Sequence, residues 1–317
     1  MMVEQYGVNQ SKLKIKGVGY LQDQYISLSD LRKVSGIGDK TIERIKAQLL
    51  QNEIDRSYIS EYNTNIKLDV NNIYHGDCLE LMNGIPDKSI DMILCDLPYG
   101  TTQNKWDSVI DLDKLWLQYK RILKSGGLVV LFGSEPFSTT LRQSNLNWYR
   151  YDWIWAKNNS TGFQNANKQP MRKYEIISVF YEQQPTYNPQ GLKECGEINT
   201  RKSFGKNWRS GTIGKNGEMN ANSYVQKYTN YPVNILEFNK EPNAHHSTQK
   251  PVKLLEYLIN TYTNKGEIVL DNTMGSGSTT IAAINTNRNY IGIELDEEYY
   301  NIAKNRINEH KNDILIK

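Results

Sequence analysis

The chain has 317 residues, a formal net charge of +3 and a pI near 8.5, so its length allows one large α/β domain and a smaller module. The mild positive charge permits a nucleic-acid partner without requiring one. Its three cysteines form no C-x-x-C pair, and so indicate neither a disulfide framework nor a metal site. Because the sequence has no apolar run of membrane-spanning length and no basic-then-apolar signal pattern at residues 1–6, we expect a soluble, cytoplasmic protein with no membrane partner.

Residues 1–62 are predicted to form a small helical module. A short helix is predicted at 28–34, after a capping-type Ser/Asp pair, and 39–49 has apolar residues at the spacing of one helical face. Helix, Gly-x-Gly turn and helix resemble the helix-hairpin-helix DNA-binding module, in which backbone N–H groups of the turn hold a phosphate. The resemblance implies DNA contacts at Gly36, Gly38 and Lys40. The alternative is a helical hairpin that serves packing or self-association.

After a linker, short apolar segments alternate with helical patterns, which predicts a largely parallel sheet flanked by helices. The predicted strands are 73–75, 90–95, 128–133, 149–156, 176–181, 267–270 and 290–293. The predicted helices are 78–82, 112–123 (ended by the Ser-Gly-Gly of 125–127), 252–262 and 281–284. We therefore expect a catalytic domain over residues 67–317.

The strand at 90–95 is followed directly by Asp96-Leu97-Pro98-Tyr99. These residues place a carboxylate, a rigid turn and an aromatic ring at the C-terminal end of a buried strand, which is where open α/β sheets bind ligands. The combination suits gripping a planar base by an exocyclic amine while stacking on its ring. An ordinary strand-ending turn is the alternative.

Residues 182–245 interrupt the α/β pattern and are rich in Asn, Gly, Lys and Ser. Between 201 and 215 lie five cations and no acidic residue, interleaved with Phe204 and Trp208. Cations with flat rings suit phosphate contact and base stacking, while a solvated basic loop is nearly as good an interpretation. The DNA contacts predicted in this segment are Arg201, Lys202, Lys206 and Arg209.

The strand at 267–270 leads into Asp271 and a glycine turn, and after a helix the strand at 290–293 ends at Glu294. Strand, glycine turn, helix, strand and acid form the dinucleotide-type unit, in which the acid binds ribose hydroxyls. This unit predicts a nucleoside-bearing cofactor. It does not by itself separate NAD from S-adenosylmethionine, although the turn lacks G-x-G-x-x-G.

Two motifs and their order resemble a known family. Asp96-Leu97-Pro98-Tyr99 resembles the (Asp/Asn/Ser)-Pro-Pro-Tyr signature of S-adenosylmethionine-dependent DNA amino-methyltransferases, and His-Ser-Thr-Gln-Lys-Pro at 246–251 resembles their His-Pro-Thr-Gln-Lys-Pro block. In the β-class of this family the catalytic tetrad comes first, the variable region follows and the glycine turn comes last. The resemblance to that order covers roughly residues 67–310. The departures are Leu97 and Ser247 in place of Pro, and Asn-Thr-Met at 272–274 where the family usually has Pro-Phe.

This resemblance implies a Rossmann-like methyltransferase fold with a circularly permuted motif order, S-adenosylmethionine as cofactor, double-stranded DNA as partner and 182–245 as the target-recognition insert. The implied catalytic residues are Asp96, Leu97, Pro98 and Tyr99. The implied cofactor-binding residues are Asp77, Cys78, Lys250, Asp271, Gly275, Gly277, Thr279 and Glu294.

Asp in the first position is usual in adenine-N6 enzymes, so the implied reaction is methylation of a flipped adenine. Four alternatives stay open: a cytosine-N4 DNA enzyme, an RNA or protein-amide methyltransferase, a purely binding or regulatory protein, and a nicotinamide oxidoreductase. The resemblance also implies a prokaryotic or phage-encoded protein, and leaves open a homodimer and a companion restriction endonuclease.

Overall fold

The computed structural model describes residues 8–9, 25–26, 40, 67–100, 109–201, 224–240 and 249–316. The chain divides into two units, Met1–Asn63 and Thr64–Lys317. In the first unit, strands β1 (Val8–Asn9) and β2 (Tyr25–Ile26) pair antiparallel, and Lys40 is an exposed helical residue. Gly36, Gly38 and the remainder of the predicted helix-hairpin-helix lie outside the described residues, so that module stays a prediction.

The second unit alternates strands with helices, as the sequence pattern predicts. Its described strands are β3 (Asn72–His75), β4 (Ile90–Cys95), β5 (Leu123–Gly133), β6 (Tyr149–Thr161), β7 (Arg172–Phe180), β8 (Lys193–Arg201), β9 (Tyr224–Thr229), β10 (Ile235–Glu237), β11 (Ile268–Asp271) and β12 (Asn289–Glu294). Its described α-helices are α1 (Cys78–Leu81), α2 (Leu112–Ile122), α3 (Phe137–Ser144), α4 (Val252–Tyr262), α5 (Ser278–Asn285) and α6 (Glu297–Ile316).

Eight of these strands form one sheet in the order β10-β6-β7-β5-β4-β11-β12-β3. Only β7 is antiparallel to its neighbours within this sheet, and the other pairs are parallel. The predicted fold class, a mostly parallel sheet flanked by helices, is therefore confirmed. Strands β8 and β9, both in the 182–245 segment, form a separate antiparallel pair.

The sheet has a topological switch point between β4 and β11. These strands are adjacent and parallel, but the chain leaves β4 toward β5 on one side and leaves β11 toward β12 on the other. The loops after the two strands diverge, which opens a crevice at the carboxyl edge of the sheet. The Asp96 tetrad follows β4 and the glycine turn follows β11, so both sequence motifs border the same crevice.

Two apolar clusters cover the two faces of the sheet. Successive side chains of a strand point to opposite faces; on β4, Met92 and Leu94 belong to one cluster while Ile93 and Cys95 belong to the other. The first cluster includes residues of α4, α5 and α6, and the second includes residues of α1, α2 and α3. Burial on both faces explains why β4, apart from the half-buried Asp91, and the second half of β5 are apolar.

The predicted end of the second helix at 125–127 is wrong. Helix α2 ends at Ile122, and β5 begins at the next residue and contains both glycines. A Cβ on Gly127 would lie 3.0 Å from the Lys124 carbonyl oxygen and 3.1 Å from that of Asp91. This glycine therefore serves a close backbone approach within the sheet rather than a helix cap. Among the described helices, α3 and α6 were not predicted, and none is both long and apolar enough to cross a membrane.

Candidate active site

A cavity of about 570 Å³ opens at the switch-point crevice. Its wall includes all four tetrad residues and most of the predicted cofactor-binding residues: Asp77, Cys78, Lys250, Asp271, Gly275, Thr279 and Glu294. Gly277 does not line it. That glycine has φ +80°, and a Cβ there would lie 3.2 Å from Ala303 and Ile307 of α6. The absence of a side chain at this position therefore allows α6 to pack on the start of α5. The structure thus brings together residues separated by up to 217 positions in the sequence.

Both carboxylate oxygens of Asp96 are engaged. The Tyr99 hydroxyl donates to Oδ1 at 2.6 Å, and the Lys250 ammonium donates to Oδ2. Burial raises the pKa of Asp96, while Lys250 acts in the opposite direction. The Thr273 hydroxyl donates to the Asp96 backbone carbonyl at 3.1 Å, which ties the tetrad to the turn after β11. Asp96 is therefore fixed in place through its side chain and its backbone.

Lys250 belongs to a buried network of four charges. Its ammonium lies 3.3 Å from Glu175 Oε2, and Lys157 Nζ lies 2.5 Å from Glu175 Oε1. Burial opposes ionisation of Glu175, but the two lysines outweigh it and lower the pKa of this carboxyl. Burial likewise disfavours the Lys250 ammonium, but Asp96 and Glu175 outweigh it and raise the pKa of Lys250. The two lysines and two carboxylates sum to zero charge.

Sequence analysis did not single out Lys157 and Glu175, because each lies one residue beyond a predicted strand, 149–156 and 176–181 respectively. Lys157 lies on β6 and Glu175 on β7, and both line the cavity. A charged residue at the end of an apolar strand pattern was the available signal, since buried charges require partners. Gln249, also in the cavity wall, accepts a hydrogen bond from the Ser276 hydroxyl at 3.1 Å, which joins the 246–251 motif to the glycine turn.

The turn after β11 presents two carboxyl groups. Asp271 is buried, which raises its pKa to about 7, while the Thr279 hydroxyl and the Thr273 N–H, 3.1 Å from Oδ1, partly offset the effect. Glu294 at the end of β12 accepts from the Gly275 N–H at 2.7 Å through Oε2 and from the Asp296 N–H at 2.9 Å through Oε1. Each carboxylate oxygen has two lone-pair directions, so Glu294 is oriented by backbone while retaining acceptor capacity toward the cavity.

On another part of the wall, Asp77 caps helix α1. Its Oδ1 accepts from the backbone N–H groups of Leu79 and Glu80 at 2.7 and 3.2 Å. Burial raises the pKa of the neighbouring Cys78 to about 12, so its thiol is neutral and unreactive. Asp77 comes from the loop after β3 and Cys78 is the first residue of α1; β3 lies beside β12.

The side chain of Asn272, one of the departures from the family pattern, is fixed by two buried hydrogen bonds. Its Oδ1 accepts from the Tyr119 hydroxyl at 2.6 Å and from the Cys95 thiol at 2.8 Å, and all three side chains are buried. Tyr119 comes from α2 and Cys95 from the end of β4. This small polar cluster anchors the turn in the place where a proline would otherwise stiffen it.

The predicted DNA contacts receive no structural test. Arg201 is the last residue of β8, and Lys202, Lys206 and Arg209 lie outside the described residues. Those four assignments therefore stay predictions, as does the assignment of 182–245 as the target-recognition insert. Its strand β10 nevertheless joins the main sheet beside β6.

Comparison with known proteins gives the family. The family model N6_N4_Mtase, described as DNA methylase, matches residues 90–305. Type II methyltransferase M.HinfI of Haemophilus influenzae is 30% identical over 288 residues, covering 79% of this chain and 72% of that protein. DNA adenine methyltransferase YhdJ of Escherichia coli K12 is 30% identical over 253 residues, covering 74% and 82%.

A solved structure agrees at the level of the fold. The PvuII DNA methyltransferase, named as cytosine-N4-specific, superposes with a TM-score of 0.53 at 16% sequence identity, covering 79% of this chain and 94% of that one. The shared architecture is the Rossmann-like fold of S-adenosylmethionine-dependent methyltransferases. Because the family model spans more than half of the residues and two relatives match at 30% identity, this chain belongs to the N6/N4 DNA methylase family, the DNA amino-methyltransferases.

Proposed function

We propose that this chain is a site-specific DNA methyltransferase that transfers a methyl group from S-adenosylmethionine to the N6 amine of an adenine flipped out of duplex DNA. The observation that carries the proposal is that one cavity is lined by Asp96 and Tyr99 together with Asp271 and Glu294. A base-gripping group and a nucleoside-binding group therefore share one chamber, as a two-substrate transfer requires.

The wall of the cavity fits S-adenosylmethionine. Glu294 is an oriented acceptor suited to ribose hydroxyls, and Asp77 offers a carboxylate suited to the adenine amine. The acidic side chains of the wall favour a sulfonium cation, and Lys250 is a cation suited to the carboxylate of the methionine portion. When bound, the cofactor supplies an activated methyl group on sulfur.

Asp96 and Leu97 are positioned to activate an amine. The Asp96 carboxylate and the Leu97 backbone carbonyl accept the two N6 hydrogens, which pulls the nitrogen toward tetrahedral geometry and exposes its lone pair. In accepting the amine, Asp96 exchanges the Tyr99 hydroxyl for the base, and the released Tyr99 ring stacks on that base. Flipping is required because N6 is unreachable within the base stack.

The methyl transfer would be a direct displacement: the cofactor would supply the methyl group, the new nitrogen–carbon bond would replace the carbon–sulfur bond, and sulfur would keep that bond's electron pair. The nitrogen becomes positively charged, and the ionised Asp96 stabilises that charge. One amine proton then leaves to Asp96, which restores a neutral methylated base.

Adenine is proposed over cytosine on two grounds. The first tetrad residue is Asp, as is usual in the adenine-N6 enzymes that the tetrad resembles, and the 30% identical relative YhdJ is named a DNA adenine methyltransferase. The domain division at about residue 62, DNA contact by the N-terminal module and the 182–245 segment, a homodimer and a companion endonuclease stay predictions.

The test is expression of the full chain in cells that lack DNA methylation. Sequencing that detects modified bases gives the site, and a nucleoside digest analysed by mass spectrometry should contain N6-methyladenine. Asp96→Ala should abolish the modification while S-adenosylmethionine binding by calorimetry persists. The matched control is Asp313→Ala, an exposed carboxylate of α6, which should methylate normally. N4-methylcytosine in the digest would overturn the adenine assignment, and an active Asp96→Ala would overturn the mechanism.

A further inference from the structure

A hairpin rises from the rim of the active-site cavity. Strands β5 and β6 both run antiparallel to β7, so β6 has the direction of β5 and its C-terminal end lies at the carboxyl edge of the sheet. The chain returns through β7, with Thr161 opposite Arg172. Lys157 and Thr161 of β6 line the cavity. We call residues 157–174 the rim hairpin. The rim hairpin therefore borders the cavity that would receive a base flipped from a duplex.

The rim hairpin is exposed and positively charged. Every residue from 158 to 170 is exposed. No acidic residue occurs between Asp152 and Glu175. Lys157 is buried and paired with Glu175, so the exposed cations of this interval are Lys168, Arg172 and Lys173. Most of its other exposed side chains are amides and hydroxyls, which bond to phosphates and base edges. This chemistry fits a polyanion and does not fit an apolar protein surface or a membrane interior.

The tip of the rim hairpin is ordered and carries an exposed aromatic ring. Gly162 adopts φ +91°, and a short 3-10 turn follows over Phe163–Asn165. Backbone bonds of 3.0 Å from Asn165 N–H to the Gly162 carbonyl and from Ala166 N–H to the Phe163 carbonyl close the turn. Phe163 is 79% exposed. The hydrogen-bonded turn fixes the backbone that carries the ring, which lowers the ordering cost on binding.

A second groove of about 680 Å³ lies at the base of the rim hairpin. Its wall includes Lys157, Lys173 and Lys253 together with one acidic residue, Glu237. Lys157 pairs with Glu175 and Lys253 with Glu256, which leaves the exposed Lys173 as the cation best placed for a phosphate. Lys157 borders both this groove and the catalytic cavity, so Lys173 stands close to the place where a flipped base would enter.

We propose that the rim hairpin is a DNA-insertion element: Phe163 enters the base stack at the gap left by the flipped nucleotide, while Lys168 and Lys173 contact the flanking phosphates. The inference rests on the proposed function, since it requires a base flipped from a duplex. Flipping leaves an unfilled step in the stack, and an apolar side chain that fills it recovers stacking. Sequence reasoning placed DNA contacts only in residues 36–40 and 201–209.

The Phe163 ring and the two lysines should affect DNA binding in different, separately measurable ways. Phe163→Ala should weaken binding to a duplex carrying the mapped site roughly tenfold, and should leave binding to a duplex without the site unchanged, because no base flips there. Phe163→Trp should restore affinity. A 2-aminopurine placed beside the target base should brighten less in the alanine variant. The control is Leu146→Ala, a 63% exposed residue preceding β6 at the opposite edge of the sheet.

The lysines should act on both duplexes alike. Lys168→Ala combined with Lys173→Ala should weaken binding to either duplex, and should make the slope of log affinity against log salt shallower by roughly 2, since each phosphate contact contributes about 0.9. Lys265→Ala, an exposed lysine in the loop before β11, is the charge control and should change neither quantity.

The outcomes separate this inference from the proposed function. Site-specific methylation by the wild-type chain together with unchanged site affinity of Phe163→Ala would overturn the insertion element alone. An equal loss on both duplexes for Phe163→Ala would also overturn it, because that result describes a general contact. If the wild-type chain modifies no DNA, the proposed function itself fails. Cofactor binding by calorimetry should be the same in all hairpin variants and confirms that they fold.

Discussion

Asp271→Asn should stabilise the cofactor-free protein at neutral and alkaline pH. Burial raises the pKa of this carboxyl from 3.8 to about 7 in the folded protein, while in the unfolded chain it has its ordinary value. The gap of about 3 pH units corresponds to about 4 kcal/mol of unfolding free energy, at 1.36 kcal/mol per unit. The substituted amide has nearly the same shape and keeps an oxygen that accepts from the Thr273 N–H.

The sign of the pH dependence follows from proton binding. Between pH 3.8 and about 7 the folded protein retains a proton that the unfolded chain has released, so this group's contribution to stability is fully present below pH 3.8 and is lost as pH rises through 7. Asparagine does not titrate. The wild type should therefore lose about 4 kcal/mol relative to the variant between pH 4 and pH 8.

Urea unfolding of both proteins at several pH values measures this difference, since contributions of all other titrating groups cancel in the comparison. Curves for the two proteins that stay parallel across pH 4 to 8 would refute the reasoning. Calorimetry on the same samples should show weaker S-adenosylmethionine binding by Asp271→Asn, because the amide lacks the carboxylate charge with which the cavity wall would attract a sulfonium. The variant would then exchange ligand affinity for stability, as functional sites commonly do.

Three further substitutions test the packing of the site. Lys250→Met leaves Asp96 buried without its cation, so the unfolding free energy should fall by about 3–5 kcal/mol at pH 8 in urea titrations. A variant as stable as the wild type would contradict a stabilising role for the network. Arg306→Ala removes the 3.0 Å hydrogen bond to the Ser276 carbonyl, so the KM for S-adenosylmethionine should rise several-fold while kcat stays nearly unchanged. A lower kcat with an unchanged KM would argue against a role for Arg306 in shaping the cofactor turn. Gly292→Ala places a Cβ 2.5 Å from the sulfur of Met274, which should cost about 1–3 kcal/mol in thermal or urea unfolding.

Sequence periodicity predicted the sheet because its strands are buried on both faces. Strand β4 and helix α4 have the predicted bounds. A short continuous apolar run indicates a buried strand, and apolar residues at helical spacing indicate a helix. Prediction failed where glycine had two uses: Gly127 resembles a helix cap but lies within β5. The helix α3 was missed because its eight residues are largely polar and contribute only a few buried side chains.

The candidate site was predictable where a motif is local and unpredictable where a partner comes from elsewhere in the fold. Tetrad and glycine turn are each contiguous, so their residue types indicate their chemistry. Glu175 lies 79 positions beyond Asp96 in the sequence, and its pairing with Lys250 depends on the antiparallel return of β7 beside β5. No local pattern encodes that register.

The charge network explains how a buried carboxylate can remain an acceptor. A carboxyl group taken out of water tends to bind a proton, and protonated Asp96 would donate a hydrogen bond instead of accepting one from the target amine. Lys250 opposes that tendency, but a lone buried lysine would itself lose its proton. Glu175 keeps Lys250 charged, although its own charge also raises the pKa of Asp96 directly, and Lys157 in turn balances Glu175. Two residues outside the tetrad and the glycine turn therefore influence the balance between burial and ionisation at Asp96.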